Sequence, residues 1–210
     1  MEIAVIGTGM VGSSLGRVWA GLGHNVVFGS RDPQGERVQE LVRSIGAPAS
    51  ATTIRKAAAA AEVVALATPW HATQEAIQAA GDLTGKVLID CTNPLRSDYH
   101  GLEVGLTTSA GEQVAAWAPG ARVVKAFNAV HAPHYANPRF GNQVATLFIC
   151  GDDDEAKDLV TGLGTAMGFE VVDTGPLWAA RLIEPLAGLW VHLAFNRGFP
   201  RQSAFKLLQR

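Results

Sequence analysis

Three glycines near the start of the chain, Gly7, Gly9 and Gly12, have the spacing G-x-G-x-x-G. An apolar run typical of a buried parallel strand precedes them at 3–6, and apolar residues at helical spacing follow them over 11–22. At such a turn, glycines permit a tight bend, a close backbone approach to a phosphate, and close packing of helix on strand. The free N–H groups at the helix N-terminus favour an anion. The pattern therefore predicts a dinucleotide-binding turn.

The next predicted strand, 25–29, ends in Ser30 and Arg31, where this type of site contacts the adenosine ribose. A site for NAD places a carboxylate there, and that carboxylate repels a 2′-phosphate. A hydroxyl and a guanidinium favour NADP(H) instead, because both can bind the phosphate. The alternative is that Arg31 is a solvated loop charge and that Asp32 binds the ribose.

Composition limits the remaining function classes. The chain has 210 residues, 48% of them hydrophobic, and a formal net charge of −2. It has enough apolar residues for a full core, but no basic surplus that would indicate binding to nucleic acid or to an anionic membrane. Since a strand begins at Glu2 and no apolar run reaches the length of a membrane span, we expect a cytoplasmic protein. Cys91 and Cys150 are expected to be small buried side chains, and no spacing indicates a metal site.

Beyond the glycine turn, apolar strands alternate with helical segments. Strands are predicted at 62–67, 86–91, 122–126, 144–150 and 170–173, and helices at 34–45, 51–61, 70–80, 110–118 and 154–167. This alternation is typical of α/β proteins with parallel β-α-β units. We therefore predict a doubly wound, mostly parallel Rossmann domain over 1–174, followed by a small helical appendage over 175–210.

The appendage carries a wide apolar face, formed by Leu182, Ile183, Leu186, Leu189, Trp190 and Leu193. Either the Rossmann core or a second subunit must cover this face. We expect a homodimer in which the helix also forms a wall of the active site. Pro185 predicts a helix that begins near Glu184 or bends there. Arg181 and Glu184 are expected to pair on the helix surface, or Arg181 to face an anionic acceptor from the partner subunit.

Several longer motifs accompany the opening fingerprint. They are GTGMVGSSLG (7–16), GHNVVFGSR (23–31), ATPW (67–70), DCTNPL (90–95), VVKAFN (123–128), CGDDDE (150–155) and GPLWAARLIEPL (175–186). In this order they resemble the NADP-dependent oxidoreductases of the deazaflavin coenzyme F420, whose Rossmann domain also occurs in the cytoplasmic part of the STEAP metalloreductases. The DCTNPL and AFN segments are more similar to the bacterial and metalloreductase branch than to the methanogen enzymes.

The resemblance implies hydride exchange between NADPH and a flat tricyclic acceptor, either coenzyme F420 or a flavin. It also implies that Ser30 and Arg31 match the family's 2′-phosphate contacts. Two other functions stay open: reduction of a small carbonyl or imine, with His131 or Tyr135 as proton donor, and a non-catalytic NADP(H) sensor.

The candidate nucleotide-binding residues lie in the glycine turn and in the loops that follow the strands, where sheets of this kind bind ligands. They are Gly7, Thr8, Gly9, Met10, Val11, Gly12, Ser30, Arg31, Thr68, Pro69, Trp70, Asn93, Ala126 and Asn128.

No catalytic side chain is assigned, because hydride transfer between stacked rings requires no protein nucleophile. His131 and His134 are candidates for a hydrogen bond to the acceptor, with ordinary loop histidines as the alternative. Lys125 is expected to have a structural role within its strand. The acidic run 152–154 is expected to cap a helix rather than to bind a metal.

Overall fold

The computed structural model describes residues 1–210, which form one main sheet with helices on both faces. Eight strands lie in the order β10-β9-β6-β5-β4-β1-β2-β3, and β7 pairs with β8 in a separate hairpin. The strands are β1 (Glu2–Ile6), β2 (Asn25–Ser30), β3 (Ala49–Thr53), β4 (Val63–Leu66), β5 (Val87–Asp90), β6 (Arg122–Lys125), β7 (Arg139–Phe140), β8 (Gln143–Val144), β9 (Thr146–Gly151) and β10 (Glu170–Asp173).

Seven α-helices connect these strands. They are α1 (Met10–Gly21), α2 (Glu36–Ile45), α3 (Ile54–Ala60), α4 (Thr73–Ala80), α5 (Ala110–Trp117), α6 (Asp154–Ala166) and α7 (Ala180–Val191). Short 3-10 turns lie at Trp70–Ala72, Ala132–His134 and Leu177–Ala179, and a π-helical turn at His192–Asn196 extends α7. No helix has both the length and the apolar character that a membrane crossing requires.

Strands β1 to β6 are parallel and have the order 3-2-1-4-5-6 of the Rossmann fold. The chain leaves β1 in one direction along the sheet and returns to its other side at β4, so a crevice opens between the carboxyl ends of these two strands. Strand β9 adds antiparallel to β6, and β10 adds parallel to β9. The predicted fold class is confirmed.

The sheet separates two apolar cores. Successive residues of a strand point to opposite faces of the sheet and so belong to different cores. In β1, Ile3 and Val5 belong to the core that includes residues of α1 and α6, whereas Ala4 and Ile6 belong to the core that includes residues of α3, α4 and α7. All four are at most 1% exposed. Burial on both faces explains why the strands are continuous apolar runs in the sequence.

The predicted helix over 51–61 is wrong in its first part. Residues 49–53 form β3, which pairs with β2 at the edge of the sheet, and the helix begins only at Ile54. Thr53 accepts a hydrogen bond from the N–H of Lys56 and so caps α3. The pairing with β2 is a contact between distant segments, and the β-branched Thr52 and Thr53 suit a strand better than a helix.

The C-terminal helix differs from its prediction in two ways. It begins at Ala180, and Pro185 lies inside it, so a start near Glu184 is wrong. Its apolar face is also divided: Trp190 is 7% exposed and donates to the Ser203 carbonyl, while Leu182 and Leu189 remain 64% and 47% exposed. The chain itself therefore covers only the inner half of the face.

Candidate functional site

The glycine turn brings β1, β4 and α1 into direct backbone contact. Gly7 has a φ of +113°, and a β-carbon there would lie 2.4 Å from the Ala67 carbonyl oxygen. A β-carbon on Gly12 would lie 2.0 Å from the Gly7 carbonyl oxygen. Only glycine fits either position, so these two residues are required for the packing of the backbone segments.

Gly9 has a different environment. It precedes the first turn of α1, and a β-carbon there would meet nothing within 4 Å. The first bond within the helix runs from the Ser13 N–H to the Gly9 carbonyl at 2.9 Å, so the N–H groups of Met10, Val11 and Gly12 have no acceptor in the helix. No side chain caps this end, and no acidic residue lies in the first turn. The helix therefore presents a positive, unsatisfied end to the crevice.

A cavity of about 610 Å³ extends from this helix end across the carboxyl ends of β1, β2 and β4. Among the sequence-predicted residues, it collects those of the turn, of the end of β2 and of the loop after β4. These lining residues are Gly7, Thr8, Gly9, Ser30, Arg31, Thr68 and Pro69. A size of several hundred Å³ suits a small-molecule ligand.

The far end of the cavity carries two arginines. Arg31 and Arg37 are both exposed, and neither forms an ion pair. Asp32 also lines the cavity, but its carboxylate lies against the turn at Gly35, where a β-carbon would come within 2.5 Å of Oδ2. Its N–H donates to the Ser30 hydroxyl at 3.1 Å. This geometry favours a cationic contact to the ribose end of a nucleotide over a carboxylate one.

Arg37 is a residue that the sequence analysis missed. It lies in the first turn of α2 and lines both the main cavity and a neighbouring one of about 330 Å³, which Thr8, Ser13 and Arg17 also line. The available signal was a cation in the first helical turn after the Ser-Arg pair. The helix dipole disfavours a cation at a helix N-terminus, so the dipole does not account for an arginine at this position.

The loop after β4 is held by hydroxyl contacts. Thr68 Oγ1 lies 3.1 Å from Thr73 Oγ1, and the Thr73 hydroxyl donates to the Pro69 carbonyl at 3.1 Å. Trp70 does not line the cavity; its ring stacks on Trp117 with centroids 5.2 Å apart. Thr68 and Pro69 are therefore placed for ligand contact, and Trp70 braces their loop against α5.

The loops after β5 and β6 are joined by a pair of amides. The Asn93 side chain donates to the Asn128 carbonyl at 2.8 Å, and the Asn128 side chain donates back to Asn93 Oδ1 at 3.0 Å. Ala126 is fully buried and does not line the cavity; its N–H donates to the Asp90 carbonyl at 3.1 Å. Phe127 has a φ of +62°, an uncommon conformation that its surroundings must stabilise.

Tyr135 provides part of that stabilisation. Its hydroxyl is fully buried and donates to the Phe127 carbonyl at 2.6 Å, and burial raises its pKa well above the usual value. Tyr135 as a proton donor to a substrate is therefore wrong, because its only hydroxyl proton is committed within the core.

His131 and His134 contact the C-terminal segment rather than the main cavity. The His131 ring stacks on Trp190 at 4.8 Å, and His134 Nε2 lies 3.0 Å from the Arg201 carbonyl oxygen. Burial, with the neighbouring His134 as a smaller cause, lowers the pKa of His131 and favours the neutral ring. Contact of either histidine with an acceptor stays a prediction.

The remaining charged candidates have structural partners. Asp153 caps α6 by accepting from the Ala156 N–H at 2.8 Å, as expected. Arg181 binds Glu112 of α5 through two hydrogen bonds of 2.8 and 2.6 Å. The predicted pair of Arg181 with Glu184 is wrong, because Glu184 points inward and is 1% exposed. It binds Lys125, which is also fully buried.

The two cysteines are free and buried, as predicted from the sequence. Burial raises the pKa of both thiols, to about 12 for Cys150. Neither is a reactive thiolate at neutral pH.

Comparison with known proteins gives consistent results. Residues 2–94 match the family described as NADP oxidoreductase, coenzyme F420-dependent. The chain is 31% identical over 207 residues to the F420-dependent NADP reductase of Methanothermobacter thermautotrophicus, covering 92% of this chain and 89% of that protein. A crystal structure described as a candidate F420-dependent NADP reductase from Arthrobacter sp. FB24 superposes with a TM-score of 0.91 at 33% identity and covers both chains completely.

The chain is also 34% identical over 186 residues to the metalloreductase STEAP3 of Rattus norvegicus. That match covers 88% of this chain but only 36% of STEAP3. The similarity is therefore to one part of a longer protein.

The different surroundings of Gly9 and Gly12 lead to a paired prediction. Gly9→Val is expected to abolish nucleotide binding and leave the unfolding free energy nearly unchanged, because the new side chain enters only the cavity. Gly12→Ala is expected to lower the unfolding free energy by about 1–3 kcal/mol, because its β-carbon meets backbone. Urea unfolding and NADPH titration of both variants test this. Normal NADPH binding by Gly9→Val would place the pyrophosphate elsewhere.

Proposed function

This chain belongs to the F420-dependent NADP oxidoreductase family, and we propose that it transfers a hydride between NADP(H) and a deazaflavin such as coenzyme F420, or a flavin. The observation that carries the proposal is the cavity that joins the free N-terminus of α1 to Ser30 and Arg31. One end suits a pyrophosphate, and the other end suits a 2′-phosphate.

In the proposed complex, the N–H groups at the start of α1 bind the pyrophosphate. Ser30, Arg31 and Arg37 bind the 2′-phosphate of the adenosine half. Thr68 and Pro69 contact the second ribose, and the nicotinamide extends toward the loops of Asn93 and Asn128. Adjacent strands are about 4.8 Å apart, so β4 to β6 spans about 10 Å, enough for the ribose and ring.

The nicotinamide supplies the hydride when NADPH is bound. The task of the protein is then to align the two rings and exclude water. A stiff loop favours that task. Two hydrogen bonds between Asn93 and Asn128 tie the loops after β5 and β6 to each other.

We divide the chain into a nucleotide-binding part, 1–174, and an acceptor-side part, 175–210. The proposal is supported by the contacts of α7, which packs on the same face of the sheet as α5 through Ile183 and Ala187. From there it reaches the loop of His131 through Trp190. The acceptor would lie between this segment and the nicotinamide.

We further propose that the protein is a homodimer. The outer half of the α7 face carries Leu182 and Leu189, which the chain leaves exposed, with the partly exposed Leu186 and Leu193 in the same stripe. A stripe of leucines at helical spacing suits packing against the same stripe of a second copy, since a two-fold axis makes one patch contact itself. Action in the cytoplasm stays a prediction, testable by cell fractionation.

The function is tested with a panel of acceptors: coenzyme F420, FMN, FAD, a quinone, a cyclic imine and a small ketone. We expect absorbance loss at the NADPH band with F420 or a flavin, and no turnover with the imine or ketone. Turnover confined to the imine or ketone would support the alternative reductase. NADPH binding without oxidation by any acceptor would favour a nucleotide sensor.

Nucleotide selectivity tests the role of the two arginines. Arg31→Ala and Arg37→Ala are each expected to weaken NADPH binding by about 2 kcal/mol, the scale of a charge-assisted hydrogen bond, with little effect on NADH. Arg43→Ala is the matched control, because Arg43 is exposed on the same helix as Arg37 but lies outside the cavity. Equal losses for both nucleotides, or a control that behaves like Arg37→Ala, would contradict the assignment.

The dimer is tested by charging the exposed stripe. Leu182→Glu combined with Leu189→Glu is expected to produce monomers, because four carboxylates would be buried at a two-fold interface. Leu22→Glu, at an exposed leucine after α1, is the control and should leave the mass unchanged. Light scattering gives the mass of each. A monomeric wild-type protein, or a dimeric double variant, would refute the proposed interface.

A further inference from the structure

One lysine and two carboxylates meet in the interior, where the sheet contacts the C-terminal helix. Lys125 Nζ of β6 lies 2.9 Å from Asp90 Oδ2 of β5 and 3.0 Å from Glu184 Oε1 of α7. None of the three side chains is more than 1% exposed. Buried charges are costly unless their partners and hydrogen bonds are complete. The cluster therefore requires α7 to stay in register with the sheet.

The sheet side of the cluster holds the loop that follows β5. Lys125 Nζ donates to the Thr92 carbonyl at 2.6 Å. Asp90 Oδ1 accepts from both the N–H and the hydroxyl of Thr92, at 2.9 and 2.7 Å. The N–H and the hydroxyl of Thr92 are thus bound by Asp90, and its carbonyl is bound by Lys125.

The helix side of the cluster holds α5. Glu184 accepts from the N–H of Ala110 through Oε2 at 2.9 Å, and from the N–H of Gly111 through Oε1 at 3.0 Å. These are first-turn amides that lack acceptors within their own helix. Two carboxylates and one ammonium leave a formal charge of −1, and the positive end of α5 offsets it.

Contacts continue from Thr92 toward the proposed position of the nicotinamide. Its neighbour Asn93 bonds Asn128 in both directions, as described above, and so joins the loops after β5 and β6. Desolvation alone would lower the pKa of Lys125, but the nearby carboxylates outweigh it and raise the pKa above the usual value. The two carboxylates therefore favour the charged form of Lys125.

We propose that Glu184 and Lys125 are positioning residues through which the seating of α7 sets the loops of Asn93 and Asn128 at the hydride-transfer end. The path is continuous: Glu184 binds Lys125, Lys125 binds Thr92, and the next residue locks the loop after β6. The consequence for catalysis rests on the proposed function, whereas the mechanical coupling is a property of the protein without nucleotide. Helix α7 therefore has two roles: its exposed leucines form the proposed dimer contact, and Glu184 on its buried side positions the loops of the site.

The test uses Glu184→Gln, which keeps the size of the side chain but loses its charge and one of its two acceptor positions. In the protein without nucleotide, we expect amide hydrogen exchange to rise about tenfold in peptides containing Thr92 and Asn93, as well as in those containing Ala110 and Gly111. We also expect hydride transfer from NADPH to the acceptor found with the panel to slow about tenfold. The affinity for 2′,5′-ADP, which probes only the adenosine end, should change less than about twofold.

Ile183→Ala is the matched control. Ile183 is the preceding residue of α7 and is 3% exposed, so its truncation removes apolar contacts only, while every ion pair and hydrogen bond of Glu184 keeps its partner. At equal loss of melting temperature, exchange at Thr92 should rise only in Glu184→Gln. The same rise in both variants, or an unchanged hydride-transfer rate in Glu184→Gln, would reduce Glu184 to a purely structural residue and overturn the proposal.

A second variant changes the charged cluster's contact with the loop after β5. Thr92→Val keeps the shape of the side chain but removes the hydroxyl bond to Asp90, so it should slow hydride transfer while exchange at Ala110 and Gly111 stays normal. An unaltered rate in Thr92→Val would also overturn the proposal, even if Glu184→Gln fails to fold. Failure of the wild-type protein to bind 2′,5′-ADP would instead refute the nucleotide function, and the exchange comparison would still decide the coupling.

Discussion

The close approach of three backbone segments at the glycine turn is the constraint on which the rest of the site depends. With no room for a β-carbon at Gly7 or Gly12, α1 packs against β1 at the point where the sheet order reverses. This contact aims the free N–H groups of α1 into the crevice beside β4. The cavity then extends from this helix end to Ser30 and Arg31, because β2 is the parallel neighbour of β1.

The two ends of the crevice are stabilised by different interactions. Exposed arginines and loop hydroxyls line the proposed adenosine end, where screening keeps each contact modest. At the other end, the loops after β5 and β6 rest on the buried cluster of Asp90, Lys125 and Glu184. A charge cluster in the interior tolerates little displacement, since separation of its members leaves charges unpaired.

Helix α7 connects the buried charged cluster to the protein surface. Its inner side carries Glu184, Ile183 and Trp190 and packs within the chain, whereas its outer side exposes Leu182 and Leu189. Pro185 lies inside this helix, where it has no N–H to donate to the Arg181 carbonyl. A single helix thus contributes to the core, to the charged cluster and to the proposed subunit contact.

The sequence by itself determined the parts of this protein that depend on local pattern: the glycine turn, the Ser30–Arg31 pair, the order of most strands and helices, and the cap at Asp153. Such features need only neighbours along the chain, so spacing and residue type suffice. The tertiary structure alone decided the contacts between distant segments. It placed 49–53 in the sheet as β3 against β2, turned Glu184 inward to Lys125, and brought Arg37 to the cavity. Pairing, burial and charge compensation between remote residues have no local signature, because their free energy appears only when the chain has folded.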